Sequence, residues 1–183
     1  MTLSRRSTLA AGLAALALAP SGALAENYRA NLTMRAHEAL SQLYATEPRA
    51  RYLAGHASAV LVFPSVVKGG LIWGAESGNG VLFMGGRPTA YYNTSAASFG
   101  LQAGGQKISV AIFFMNGRAL GYLHRSGGFA IGTAPNVVVV NQGAAAQINS
   151  TTLTQDVVVV PFGQRGLMAG IDIHGSKITP INP

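Results

Sequence analysis

The run Tyr52-Leu53-Ala54-Gly55-His56-Ala57-Ser58-Ala59-Val60-Leu61-Val62-Phe63-Pro64 marks the place where this chain stops reading as helix and starts reading as sheet. Residues 26–54 contain no glycine, whereas the 129 residues from Gly55 onward contain 21. Glycine weakens a helix by about 1 kcal/mol relative to alanine, but it supplies the positive φ of tight turns and bulges. Upstream, Tyr28, Leu32, Ala36, Ala39, Leu40, Leu43 and Tyr44 fall on one stripe of a 3.6-residue period over 27–46. Arg35, Glu38 and Gln42 fall on the other side, and Asn27 is the expected N-cap. Thr46-Glu47-Pro48 ends this helix and opens a second one that stops near Gly55.

Downstream the period changes. Ala59–Phe63 is a short apolar run closed by Pro64, while Leu71, Trp73 and Ala75 alternate, as do Ile108, Val110, Ile112 and Phe114. Turns are expected at Gly78-Asn79-Gly80, Gly85-Gly86, Gly104-Gly105 and Gly127-Gly128. Val137–Val140 and Val157–Val160 are apolar on both strand faces and are expected mid-core. Residues 116–123 fit one short helix between strands. The expectation is one α+β domain, helical over 26–58 and mainly β over 59–183. Its N-terminal amphipathic helices pack on a glycine-rich, mainly antiparallel β-sandwich or barrel, and closing the sheet would protect its edges.

The first 25 residues read as an export signal. Arg5 and Arg6 form a positive start, Thr8–Ala19 is an apolar run, Pro20 and Gly22 break the helix, and Ala23-Leu24-Ala25 is a small-x-small cleavage site. The apolar run is shorter than the roughly 20 residues that span a bilayer. Ser4-Arg5-Arg6-Ser7-Thr8-Leu9 resembles the bacterial twin-arginine signal but has Thr8 where Phe is preferred; a general secretory signal with two arginines is the other reading. Processing would leave 26–183, with 11 basic and 6 acidic side chains, net +5, exported to the periplasm, held peripherally at a membrane, or secreted.

Charged residues make up only 10% of the chain, against about 25% in an ordinary soluble domain. The absence of cysteine removes cysteine-ligated zinc or iron–sulfur sites, thiol catalysis, disulfides and an acylated-cysteine anchor. Enzymatic parts are also scarce. His37, His56, His124 and His174 are scattered, and Asp172 and His174 could share one strand face but stand alone. Ser77 sits one place too late for a nucleophile elbow, and there is no phosphate loop. The expectation is no enzyme, no metal and no cofactor.

Positive charge carries more. The body from Gly55 holds seven basic residues against Glu76, Asp156 and Asp172. Lys68, Lys107, Arg118, Arg125, Arg165 and Lys177 are the candidate anion-binding set, several of them beside glycines whose N–H groups can help hold an anion. The competing reading is a scatter of solubilising charges. Basicity of this size suits an anionic membrane better than a nucleic-acid groove. The helical stripe has two readings as well: core packing, or membrane contact through Tyr28, Leu32, Leu40 and Leu43.

Val60-Leu61-Val62-Phe63-Pro64-Ser65-Val66-Val67-Lys68-Gly69-Gly70, Trp73-Gly74, Ser77-Gly78-Asn79-Gly80, Ser98-Phe99-Gly100-Leu101-Gln102-Ala103-Gly104-Gly105, Gly166-Leu167-Met168-Ala169-Gly170 and Gly175-Ser176 resemble the SYLF domain, from about residue 30 to the C-terminus. The resemblance implies a non-enzymatic lipid-binding module: eukaryotic members bind phosphoinositides and other anionic lipids, and a yeast branch binds actin. For an exported bacterial chain the implied partners become anionic phospholipids or the lipid A of an outer membrane. An envelope protein–protein assembly module, including a homo-oligomer, is the alternative. The family's motif segments map onto Lys68 and the glycine turns, and supply no catalytic residues.

Overall fold

A helix of 26 residues, α1 (Ser21–Thr46), leads the fold and is about 39 Å long at 1.5 Å per residue. In this computed structural model the described residues are 21–70, 73–99, 104–124, 128–131, 136–140, 150–166 and 175–183. The helix starts earlier than the sequence implies. Asn27 lies inside it, exposed, rather than capping it, and Gly22 sits in its first turn. The expected cleavage boundary therefore falls within α1. A second helix, α2 (Pro48–His56), starts with proline at its first position, where no N–H is needed, and ends with the Ala57 N–H on the Leu53 carbonyl.

Eight strands follow: β1 (Ala59–Gly70), β2 (Trp73–Met84), β3 (Arg87–Phe99), β4 (Gly104–Phe114), β5 (Phe129–Ala130), β6 (Val137–Val139), β7 (Val157–Gly166) and β8 (Lys177–Ile181). A short helix α3 (Gly117–Leu120) continues into a 3-10 turn over Gly121–His124, and α4 (Ser150–Leu153) precedes β7. The strands form one sheet in the order β5-β8-β3-β2-β1-β4-β7-β6, antiparallel except for the β6–β7 pair. The sheet curls into a half-barrel, so the α+β class and the antiparallel character stand while the two-sheet sandwich does not. Its two ends are strands of two and three residues, too short to template much pairing with another chain.

Each face of the sheet carries a buried cluster. On the inner face Leu61, Phe63, Ile112, Phe114, Val157, Val159, Tyr92 and Ile178 form one cluster with Tyr122, Leu123 and Phe129. β8 and β7 lie five places apart, about 24 Å on a flat sheet, so one cluster containing both requires the curl. Phe129 seals it, stacked on Tyr122 at 5.8 Å and edge-on to Phe114 at 6.1 Å. On the outer face Val60, Val62, Phe83, Phe113, Val158 and Val160 meet Leu32, Ala36, Leu40 and Leu43 of α1 and Leu53 of α2. Burial on both faces is why β1, the end of β4 and β7 read as unbroken apolar runs. Val137–Val139 differs from the mid-core expectation: it is the half-buried edge strand β6.

Pro64 does not close β1. The strand runs through it as a bulge, with the register slipping between Phe63 and Val66 against β4 and between Val62 and Val67 against β2. A bulge tolerates proline because one residue is left out of the ladder. Ser109 Oγ donates to the Pro64 carbonyl at 2.9 Å and supports the kink. Opposite it, Gly78 and Gly80 lie inside β2 rather than in a turn, because a Cβ on Gly80 would stand 2.7 Å from the Val62 carbonyl oxygen. Gly104-Gly105 opens β4 instead of turning. The Gly85-Gly86 turn is where the sequence puts it, joining β2 to β3 with φ of +56° and +78°. Gly128 has φ +77°, and Gly127 lies outside the described residues.

Candidate functional site

The bulges decide which cations meet. Between Ser109↔Phe162 and Lys107↔Arg165 the β4–β7 register slips by one, at Gly163, whose φ is +63°. Were Gly163 paired in the ladder without that slip, Arg165 would oppose Gln106 and point to the inner face. With it, Arg165 lies directly across from Lys107 on the outer face, and both are exposed. Like charges directly opposite one another in a ladder repel. Among the described residues neither forms an ion pair.

The flank of α1 completes a cleft of about 210 Å³ around this pair, adding Arg35, Glu38 and Gln42 beside Ser109 and Pro64. Three cations and one carboxylate line it, so the cleft favours an anion. Arg35, Glu38 and Gln42 were assigned by sequence only to the helix's polar side; their i, i+3, i+7 spacing is the signal that they form one flank. The register continues from Lys107 through Val67, Ser77 and Ser95 to Lys177. All of these side chains are exposed, Val67 at 55%. Lys177 thus shares the outer face but lies four strands away, about 19 Å along the sheet.

Lys68 and Arg118 serve other ends. Lys68 points to the inner face, where its Nζ meets Glu76 Oε2 at 2.8 Å, with the two side chains 14% and 7% exposed. Ser176 Oγ donates to Glu76 Oε1 at 3.1 Å. Arg118 grips both oxygens of Asp156 at 3.0 and 3.3 Å. Asn116 Nδ2 donates to the same carboxylate at 2.8 Å, while its Oδ1 caps α3 by accepting from the Ala119 N–H. Arg125 lies outside the described residues, as do Asp172 and His174.

Hydrogen bonds from Asn116, and then from Arg118, hold the Asp156 carboxyl below its ordinary range. A depressed folded-state value stabilises the fold above the unfolded value of about 3.9 and loses that contribution as pH falls further. Asp156→Asn is therefore expected to lower the melting temperature near pH 7, with the difference from wild type shrinking as pH falls below about 4. A difference that stays constant with pH refutes this role for the carboxylate.

Of the helical positions, Leu32, Leu40 and Leu43 are buried against the sheet at 4%, 8% and 0% exposure, so their stripe is used in packing. Tyr28 is exposed, and its hydroxyl accepts a hydrogen bond from Asn79 Nδ2 at 2.6 Å. Ser77 lies within β2, not at a strand-to-helix turn. Among the described residues there is no cluster of three or more His, Asp or Glu fit to hold a metal, and no helix long and apolar enough to cross a membrane.

Residues 95–182 match a family model described as Ysc84, Las17-binding protein actin regulator, which is the SYLF-domain family that the motif segments resemble. No curated protein matches the chain. The matched span runs from within β3 to the end of β8. It includes Lys107 and Arg165 but neither α1 nor Lys68.

Proposed function

We propose, with the SYLF-family match as premise, that this protein is a non-enzymatic, exported lipid-binding module that associates peripherally with anionic membrane surfaces. Lipid and actin binding are the activities associated with the family. The observation that carries the lipid reading is the Lys107–Arg165 pair: two directly opposed cations, joined by Arg35 in an open cleft and lacking an ion-pair partner among the described residues. A phosphate of an anionic phospholipid or of lipid A relieves their repulsion and accepts hydrogen bonds from both. Lys177 and exposed Val67 on the same face add a second charge contact and an apolar one.

Juxtamembrane cations contribute about 1 kcal/mol each, so binding is reversible and weakened by salt. The full chain is expected to sediment with phosphatidylglycerol vesicles and not with phosphatidylcholine vesicles. Lys107→Gln/Arg165→Gln removes about 2 kcal/mol and is expected to weaken that binding about 30-fold. Equal, salt-insensitive recovery with both vesicle types, or none with either, refutes the reading.

A further inference from the structure

On the other flank of α1 from the cationic cleft lies a groove of about 620 Å³, bounded by α1, α2 and the β2–β3 hairpin. The volume is within the range of small-molecule sites, roughly 300–1,000 Å³. It exists because eight of its fourteen lining residues are Gly, Ala or Ser, from α1, the end of α2, the start of β1 and the hairpin turn. Large side chains are lacking where the elements meet: a Cβ built on Gly55, Gly85 or Gly86 would touch nothing within 4 Å. The floor is apolar, made by Leu40, Val60 and Phe83.

The two basic side chains of the groove each sit against an aromatic ring. His37 stands over Phe83, ring centroids 4.6 Å apart, and Arg51 lies 5.6 Å from the centre of the Tyr44 ring. No Asp or Glu lines the groove. An apolar trough with a guanidinium and an imidazole on its rim, and no carboxylate to answer them, complements a long apolar chain ending in an anion. Exposed Met84 adjoins the hairpin glycines and extends the apolar surface outward.

We infer that this groove binds a single acyl chain carrying an anionic head group, with the chain along Leu40, Val60 and Phe83 and the head beside Arg51. The inference rests on the lipid reading but uses the opposite flank of α1, and so other residues. A fatty acid and a lysophospholipid share the required chemistry.

The test uses the full chain and the fluorescent fatty acid cis-parinaric acid, kept below its micellar concentration. Saturable binding of one probe per chain is expected, displaced by palmitate or by lysophosphatidylglycerol; which of them competes better identifies the source. Ala57→Phe fills the groove at the α2 C-cap, where the extended backbone accepts any side chain, and is expected to weaken probe binding at least tenfold. Should Ala57→Phe fail to fold, the exposed Arg51→Glu decides: it is expected to weaken palmitate tenfold while leaving hexadecanol unchanged. Lack of saturable binding, displacement by neither lipid, or a folded Ala57→Phe or Arg51→Glu that binds like wild type overturns the inference. Lys107→Gln/Arg165→Gln separates the two readings: it is expected to lose vesicle binding and keep probe binding, so either can fail alone.

Discussion

Gly80→Val is expected to abolish the folded state, and Gly80→Ala to lower the melting temperature by about 10 °C. A Cβ at Gly80 would stand 2.6 Å from Phe63 Cδ1 and 2.7 Å from the Val62 carbonyl oxygen. Neither neighbour can yield cheaply. The Phe63 ring is 1% exposed within the inner core, and the Val62 carbonyl belongs to the strand at the centre of the sheet. Overpacking by one or two methyl groups costs about 1–3 kcal/mol where the surroundings relax. Here the surroundings are the Pro64 bulge, so the upper value applies, and at 2–4 °C per kcal/mol for a chain of this size alanine gives the stated shift. Valine adds two more methyl groups and exceeds what a stability of about 5–15 kcal/mol tolerates at growth temperature. Gly105→Ala is the matched control, since a Cβ there meets nothing within 4 Å; it is expected to melt near wild type. Scanning calorimetry of the three variants decides, and Gly80→Ala melting with Gly105→Ala would refute the account of the bulge.

The second large effect concerns Lys68. Sequence places it with the anion-binding cations, and the structure places it on the inner face against Glu76. Removing one member of a buried ion pair costs about 3–5 kcal/mol, because the other charge is left unanswered; replacing both with apolar residues of similar volume is often neutral. Lys68→Met is therefore expected to lose about 3 kcal/mol, the lower end because Lys68 keeps some exposure. Lys68→Met/Glu76→Leu is expected to recover most of that loss, less the hydrogen bond from Ser176. Urea denaturation of the single and double variants measures the coupling. Binding to phosphatidylglycerol vesicles, read on the folded fraction, is expected to be unchanged in the double variant. Lost vesicle binding with unchanged stability would return Lys68 to the head-group set.

The same register argument accounts for how the candidate site was legible in part. Lys107 and Arg165 were recognisable as members of the candidate cation set, Arg165 beside Gly166, but that they face each other depends on the register slip at Gly163. A side-chain period of two makes every bulge a change of face, and a bulge leaves little trace in composition. Pro64, Gly78 and Gly80 show the same difficulty: read singly they are turn residues, whereas together they are the two sides of one bulge. Arg35 and Gln42 could be assigned to a helix flank, but not to a cleft with β4 and β7, which are far off in sequence.

The apolar stripe of α1 shows what sequence alone determined. Its 3.6-residue spacing, the glycine-free stretch before Gly55 and the two-residue alternation after Ala59 establish helices followed by sheet, because these patterns follow from local backbone geometry. Unbroken valine and phenylalanine runs likewise imply strands buried on both faces. What covers each face was left to tertiary structure. The stripe through Leu32, Leu40 and Leu43 suits a membrane as well as a sheet, core packing being the commoner fate, and the fold put the sheet against it. The cations were equally undetermined: two in sequence proximity to glycine turns ended in ion pairs with Glu76 and Asp156, and two others ended side by side and exposed. Burial, pairing and repulsion depend on distances between residues remote in the chain, so only the curled sheet and its bulges could decide them.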